Sequence, residues 1–147
     1  YKTIKKNINS VDNIIFKKNN LWWLFTNIDR SNNNDFSHDL SIFFSKEGPL
    51  TNKWKNHPQN PIKINSIESR NAGIIFDKKN IIRVSQEQGF DNYGKNINFH
   101  KIKLLNKKVY VEKKIENKNY LKIKKLLNDS DIHHFSKINN KIIVDFK

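Results

Sequence analysis

Short apolar segments recur along this chain of 147 residues. The segments at 13–25 (NIIFKKNNLWWLF) and 73–85 (GIIFDKKNIIRVS) follow one plan, in which four polar residues separate two apolar strands. Such strands are rich in β-branched and aromatic residues and are too short for helices. A spacing of about 8–12 residues with polar turns is typical of sandwiches, barrels and propellers. The sequence therefore predicts an all-β fold that repeats one sheet unit.

The predicted strands fall into three series, with polar turns between them. They are 14–16, 21–25 and 40–44 in the first series, 73–76, 81–85, 97–102 and 109–115 in the second, and 132–135 and 142–145 in the third. The Asn-rich stretches between apolar segments are predicted to be turns, because Asn tolerates left-handed backbone conformations. The stretch 120–127 (YLKIKKLL) has partial helical spacing, and we interpret it as a linker or an outer strand.

All three prolines of the chain lie in residues 48–62, between the first and second series. Proline fixes φ and cannot donate a hydrogen bond to a neighbouring strand. This segment is therefore predicted to be an ordered, extended crossover. We expect Trp54 to anchor it against a core and His57 to fix its path.

Composition excludes several classes of protein. Hydrophobic residues make up 36% of the chain, which is below the usual share. Aromatic residues, however, make up 12%, and this share is too high for a disordered tail. The absence of cysteine excludes a disulfide framework, a thiolate metal site and a cysteine nucleophile. Apolar runs are shorter than the roughly 20 residues of a membrane helix, and the first residues lack the apolar core of a signal peptide, so we predict no transmembrane segment and a cytoplasmic location. Because Met is absent even at position 1, we interpret the chain as part of a longer reading frame.

The chain has 28 basic and 14 acidic side chains and a formal net charge of +14. Lys that neutralises phosphate supplies most nonspecific affinity for nucleic acid. However, Arg30, Arg70 and Arg83 are its only arginines, and the lysines are scattered, as a strongly AT-biased genome would dictate. Nucleic acid is therefore not the favoured partner. An all-β module that binds nucleic acid or another polyanion stays as the alternative.

Polar residues cluster where the strands of the second series begin and end. Glu68, Arg70 and Asn71 precede the strand 73–76, while Gln86 and Glu87 follow 81–85. If the repeated sheets are arranged radially, these positions meet at one axial opening and form a binding site. The alternative is that Arg70 and Glu87 form a structural ion pair between neighbouring strands.

Histidines and tryptophans give weaker signals. Neighbours in a strand point to opposite faces, so adjacent His133 and His134 cannot easily ligate one metal, and no metal site or cofactor is predicted. We predict that one of them, His134, faces the opening. Of the adjacent Trp22 and Trp23, one is expected to be buried in the core and the other to face the opposite side.

The segments from Ile14 to Asp145 resemble, in order and spacing, the propeller domain of the glucosamine inositolphosphorylceramide transferase family. The sharpest elements are the W-x-x-H-x-x-N-P segment (Trp54, His57, Asn60 and Pro61), the Arg70-x-Ala72-Gly73 turn and the Gln86–Gly94 stretch that ends in Tyr93-Gly94. The resemblance implies a five-bladed β-propeller related to the furanosidase and family 43 glycosidase superfamily. Bacterial relatives of the domain occur beside sugar- or formyl-transferring domains.

Five blades need on the order of 200 to 300 residues, because each takes about 40–50. Residues 1–147 are therefore predicted to form a single partial propeller domain of about three blades, whose N-terminal blades are missing. The resemblance further implies a carbohydrate-binding or carbohydrate-processing domain of a glycoconjugate-synthesising protein. Its partners would be a carbohydrate or sugar conjugate and an adjoining transferase domain. The predicted substrate-binding residues are Arg70, Asn71, Gln86, Glu87, Tyr93 and His134.

Glycoside hydrolysis is a third hypothesis, because propeller glycosidases use two carboxylates that flank the scissile bond. Glu68 and Glu87 are the candidates nearest the predicted opening, and Asp39 and Glu112 are further ones. The strand start that often bears an acid in such enzymes is Ser69-Arg70-Asn71 here, which cannot protonate a leaving oxygen. The sequence therefore favours binding over catalysis by this part of the protein.

Overall fold

A computed structural model describes residues 3–88, 94–128, 130–138 and 141–147. Within these residues the strands form two sheets. The first sheet consists of β1 (Ser10–Lys18), β2 (Leu21–Ile28), β3 (Asp39–Ser45), β4 (Lys55–Asn56) and β5 (Lys63–Ile64). The second consists of β6 (Asn71–Asp77), β7 (Asn80–Glu87), β8 (Asn96–Leu105), β9 (Tyr110–Ile115), β10 (Ile132–Ile138) and β11 (Lys141–Phe146). The all-β prediction is confirmed, apart from one short helix, α1 (Lys118–Leu126).

Both sheets are built on antiparallel hairpins, as the repeated sequence plan predicts. In the first sheet β1, β2 and β3 pair in sequence order, and β4 and β5 both pair with β3. The β1–β2 turn is formed by Asn19 and Asn20, whose φ angles of 50° and 57° are left-handed. Two such residues suit the tight turns that match the twist of a hairpin. The predicted use of Asn in these turns is therefore confirmed.

The third series of strands does not form a sheet of its own within the described residues. β6 to β9 pair antiparallel in sequence order, whereas β10 joins β6 in parallel through the pair Lys137 and Ile75. β11 then pairs with β10 and lies at the edge of the sheet. The two sheets do not close into a ring, so the five-bladed propeller and its count of about three blades are not confirmed.

One core cluster lies between the two sheets, because alternate residues of each strand face inward. The first sheet contributes Phe16, Leu21, Trp23, Phe25, Leu40, Ile42 and Phe44, and the second contributes Ile81, Ile102, Leu105 and Tyr110. The prediction for the tryptophan pair is confirmed. Trp23 is buried in this core, while Trp22 packs on the opposite face of the sheet with Trp54 and Phe43.

The interpretation of residues 120–127 as a linker or an outer strand is wrong, because α1 covers most of them. The side chain of Asn117 caps the helix by accepting hydrogen bonds from the backbone N–H groups of Asn119 and Tyr120. Tyr120 and Ile123 then pack into the core on the second face of the second sheet. This N-cap and the apolar spacing are the signals that could have identified the helix.

The proline-rich crossover is ordered by its own motif. Trp54 is buried, as predicted, and the ring of His57 contacts the carbonyl oxygen of Asn106 at 3.0 Å. The Asn60 side chain accepts a hydrogen bond from the N–H of Ile42 and donates one to its carbonyl oxygen. This amide continues the hydrogen bonding along β3 between the positions where β4 and β5 pair with it. The W-x-x-H-x-x-N-P segment is therefore structural.

In the described part of the chain, α1 is far too short to cross a bilayer, and no other helix there could do so.

Candidate functional site

A cavity of about 380 Å³ opens beside the first residues of β1, β6 and β10. We call it the strand-start cavity. Its polar and charged lining includes Asp12, Asn71, Gln86, His133, His134 and Asp145. The structure thus brings together three of the predicted binding residues, which are Asn71, Gln86 and His134.

Three β-bulges surround this cavity. The pairing register shifts between Val11 and Ile14 in β1, between Asn71 and Gly73 in β6, and between Ile132 and His134 in β10. A bulge inserts an extra residue into a strand and redirects its side chain, and bulges are common beside active sites. Each of these bulges places residues in the lining of the same cavity.

The bulge in β10 changes the prediction for the histidine pair. Regular alternation would place His133 and His134 on opposite faces, so only one was expected to face the opening. Both line the cavity, because the extra residue interrupts the alternation between Ile132 and His134. His133 also packs against Gly94, where an added Cβ atom would overlap the imidazole ring.

The bulge in β1 holds Asp12 in a left-handed conformation with φ 53°. Its carboxylate accepts a hydrogen bond from Nε of Arg70 at 2.8 Å. Arg70 is not among the lining residues of the cavity, and it positions Asp12 from the side. Among the described residues the ion-pair partner of Arg70 is therefore Asp12, not Glu87.

Among the described residues three buried side-chain acceptors have no donor, and two of them line the strand-start cavity, the third being Oε1 of Gln88 outside the lining. Asn71 and Gln86 are 2% and 3% exposed. The amide nitrogen of Asn71 donates to the carbonyl oxygen of Asp12 at 3.2 Å. Within the described residues, however, Oδ1 of Asn71 and Oε1 of Gln86 have no hydrogen-bond donor. A buried acceptor without a donor costs roughly 1–3 kcal/mol, so such atoms are expected to meet a water or a ligand.

The other predicted residues lie elsewhere. Glu87 is the last residue of β7, is half-buried and pairs in register with Asn96 outside the cavity lining. Tyr93 lies outside the described residues. Glu68 accepts a hydrogen bond from Lys63 at 2.8 Å, and this bond is the main cause that lowers the pKa of its carboxyl. Glu68 and Glu87 therefore do not meet in the strand-start cavity.

Glu112 belongs to a second polar region, a buried ionic cluster. We define this cluster as Lys63, Glu68, Arg83, His100, Tyr110 and Glu112. Arg83 is fully buried and donates to the two carboxylate oxygens of Glu112 at 2.9 and 2.7 Å. It also donates to the backbone carbonyl oxygen of Glu68, and Lys63 lies 2.8 Å from the carboxylates of both glutamates.

The charges of the ionic cluster are fixed by this pairing. Burial raises the pKa of Glu112, but the Arg83 guanidinium more than offsets burial and holds the pKa well below its ordinary value. Burial and the Arg83 charge lower the pKa of His100 to about 4. Asp39, the other candidate acid, is buried and pairs with Arg30 at 2.6 Å. These carboxylates are occupied in structural pairs with neighbouring cations.

Sequence reasoning missed four polar lining residues, Asp12, Asn13, His133 and Asp145. Asp12 and Asn13 precede the strand IIF in the first copy of the repeat and align with Ala72 and Gly73, which precede it in the second. Aligning the two copies could therefore have identified Asp12. No comparable signal marks Asp145, which comes from the last strand and is brought to the cavity by the pairing of β11 with β10.

Comparison with known proteins identifies the family. The family described as "Glucosamine inositolphosphorylceramide transferase 1, N-terminal" matches residues 2–142. The chain belongs to this family. A relative in Arabidopsis thaliana, glucosamine inositolphosphorylceramide transferase 1, is 35% identical over 106 residues, which cover 69% of this chain and 13% of the relative.

The resemblance to this transferase family that the sequence motifs indicated is therefore confirmed. The chain spans about an eighth of the length of the Arabidopsis relative, because the match covers 13% of it. No solved structure is significantly similar to the chain.

Proposed function

We propose that this chain is a carbohydrate-binding domain of a glycoconjugate-synthesising protein, and that the strand-start cavity holds sugar hydroxyl groups. The observation that carries the proposal is the pair of buried acceptors without donors, Oδ1 of Asn71 and Oε1 of Gln86. Both residues line the cavity. A hydroxyl group donates one hydrogen bond and would satisfy each of these atoms.

The remaining lining residues fit the same ligand class. Asp12 and Asp145 offer carboxylate acceptors, and His133 and His134 offer ring nitrogens that donate or accept. A polyhydroxylated ring presents several donors around its edge, which suits a wall dominated by acceptors. The cavity volume of about 380 Å³ lies within the ordinary range for small-ligand sites.

We further propose that the chain contains the inner part of a β-propeller and works beside a transferase domain. The first strands of the three series, β1, β6 and β10, lie side by side around the strand-start cavity. Such an arrangement of first strands around an axis is what a propeller requires. The family of the chain, whose name describes a transferase, supports the second part of the proposal.

The test is a binding titration that is monitored by amide chemical shifts and by calorimetry. The name of the Arabidopsis relative contains glucosamine and inositol, so glucosamine, N-acetylglucosamine and myo-inositol are the first probes. We expect at least one of them to shift the amide signals of Asn71, Gln86 and His134.

The decisive variant is Gln86→Met, which keeps the shape of the side chain and removes the acceptor. It should weaken carbohydrate binding about threefold to tenfold, as expected for one lost hydrogen bond. Asn52→Ala removes an exposed amide outside the cavity and is the control. If Gln86→Met binds every responding carbohydrate as tightly as the unmodified chain, the cavity is not the sugar site.

Arg70→Ala separates the proposal from polyanion binding through lysine. Loss of the guanidinium releases Asp12 from its 2.8 Å contact, so carbohydrate affinity should fall sharply. Polyanion binding through scattered lysines would barely change. A short RNA that binds with a steep salt dependence, together with no response to any carbohydrate, would favour the polyanion alternative.

A further inference from the structure

A second and larger cavity, of about 760 Å³, lies on the face of the first sheet that points away from the second sheet. We call it the outer-face cavity. Its walls are the N-terminal segment, the end of β2 and the crossover that follows β4. Among its lining residues are Lys5, Lys6, Asp29, Arg30, Asn32 and Phe43.

The charge of the outer-face cavity is predominantly positive. Among the described residues of its lining, the cations are Lys5, Lys6 and Arg30. Asp29 supplies the one carboxylate of that set. The Asp29 carboxylate already accepts hydrogen bonds from the backbone N–H groups of Ser31 and Asn34. It is therefore directed at its own turn and not at the lysines.

The lysines have no carboxylate partner within the described residues. Nζ of Lys5 lies 4.5 Å from the centroid of the Phe43 ring, which holds the ammonium group over the cavity wall. Lys6 is exposed. Arg30, by contrast, is paired with Asp39 at 2.6 Å. Two ammonium groups without a salt-bridge partner among the described residues thus lie at one concave surface.

Neutral donors accompany these charges. The side chains of Asn7, Asn32 and Asn56 also line the outer-face cavity. Their amide groups make no side-chain hydrogen bond within the described part of the chain, so their N–H donors are available. Lysine ammonium groups with neutral N–H donors form the donor set that phosphate oxygens accept.

We propose that the outer-face cavity binds a phosphomonoester group. Two lysine ammonium groups without a salt-bridge partner among the described residues suit the dianion that such a group carries near neutral pH, and the surrounding amides supply further donors. The wall of the strand-start cavity is dominated by acceptors and includes the carboxylates of Asp12 and Asp145, which repel such a dianion. The two cavities lie on either side of the start of β1, one at Asp12 and Asn13 and the other at Asn7 to Asn9, and they recognise opposite kinds of group.

The test titrates inorganic phosphate into the chain at pH 7.5 and constant ionic strength, with chloride as the reference anion. We expect the amide signals of Asn7 and Asn32 to shift with phosphate. Lys5→Gln and Lys6→Gln should each weaken binding about threefold to tenfold, because each removes one charge-assisted contact. The control is Lys103→Gln, which removes an exposed lysine on β8 outside the cavity. Thermal unfolding of each variant checks that the fold is retained.

A second arm distinguishes a soluble phosphate ester from a lipid headgroup. The chain is sedimented with phosphatidylcholine vesicles that contain or lack phosphatidic acid. Lysine-dependent sedimentation with phosphatidic acid assigns the site to a lipid, while phosphate binding without sedimentation assigns it to a soluble ester, and both outcomes support the proposal.

The proposal is overturned if phosphate shifts no signal around the outer-face cavity. It is also overturned if Lys103→Gln weakens binding as much as Lys6→Gln, because scattered lysines would then bind the anion, as they would an RNA. Gln86→Met should leave phosphate binding unchanged, so failure of this site and failure of the carbohydrate site are measured separately.

Discussion

The strand-start cavity and the ionic cluster both contain buried polar side chains, yet their hydrogen bonding differs. In the cluster, Arg83 donates two hydrogen bonds to the Glu112 carboxylate. Lys63 and Tyr110 contact the remaining acceptor positions of the same carboxylate. In the cavity, Asn71 and Gln86 retain acceptors without donors among the described residues. A satisfied buried network holds two sheets together, whereas an unsatisfied one has capacity for a ligand. Burial of a polar residue alone therefore does not identify a binding site.

The largest effect is expected in the ionic cluster. Glu112→Gln leaves the fully buried Arg83 without a negative partner and should lower the free energy of unfolding by about 3–5 kcal/mol. Denaturant unfolding measures this change. Glu116→Gln, at an exposed position just after β9, is the matched control and should change stability little. A loss no larger than that of the control would contradict the structural role of the cluster.

The next effect is a dependence of stability on pH. The unfolded chain binds a proton to His100 at its ordinary pKa of 6.5, whereas the folded chain resists protonation down to about pH 4. The unfolded state thus binds more protons in this window, and stability should fall by about 3 kcal/mol as the pH drops through it. Below about pH 4.5, the ordinary pKa of a glutamate, the unfolded chain also protonates Glu112 while the folded chain resists, because the pKa of Glu112 is lowered there. Stability should therefore fall further in this range.

Thermal unfolding between pH 7 and pH 4 checks this slope. His100→Gln keeps a hydrogen-bonding group opposite Ser85 and removes the titrating ring, so its stability should fall less steeply below pH 6.5, with the remaining slope coming from His57, whose pKa burial also lowers. An unchanged slope in this variant would assign the pH dependence to other groups.

A smaller effect tests how the wall of the strand-start cavity is built. Gly73 has φ 141°, and an added Cβ atom there would overlap the backbone carbonyl oxygen of Phe135 in β10. Gly73→Ala should therefore cost about 2–3 kcal/mol, through backbone strain and overlap together. Gly48 has φ 121° with open space around it, so Gly48→Ala isolates the strain and should cost about 1 kcal/mol. Equal losses in the two variants would show that the approach of β10 to β6 is not tight.

The smallest effect is expected at the acceptors themselves. Gln86→Met changes a residue that is 3% exposed, yet it should not lower the free energy of unfolding by more than about 0.5 kcal/mol, and it can raise it, because its oxygen has no partner to lose and an unpaired buried acceptor is itself costly. Measured beside Glu112→Gln, it completes the comparison of the two regions. A loss above about 2 kcal/mol would mean that the Gln86 side chain is structural.

The strands and hairpin turns could be predicted from local pattern. Apolar runs with β-branched and aromatic residues identified the longer strands of both sheets, separated by Asn and Lys turns, but not the two-residue strands β4 and β5. The helix was missed, although Asn117 and the spacing of Tyr120 and Ile123 encode it, because its Lys-rich surface hides the apolar face. Of the residues predicted to share one opening, Asn71, Gln86 and His134 line the strand-start cavity, whereas Arg70 and Glu87 do not.

By itself the sequence determined the all-β class, the hairpins, the anchored crossover and the membership of the family, because each depends on residues close together in the chain or on matching segments in order. Tertiary structure alone decided that three bulges redirect Asp12 and His133 into one cavity, and that Glu68 and Glu112 are neutralised by Lys63 and Arg83. The physical reason is that hydrogen-bond satisfaction belongs to pairs of atoms, and the partners come from positions far apart in the sequence.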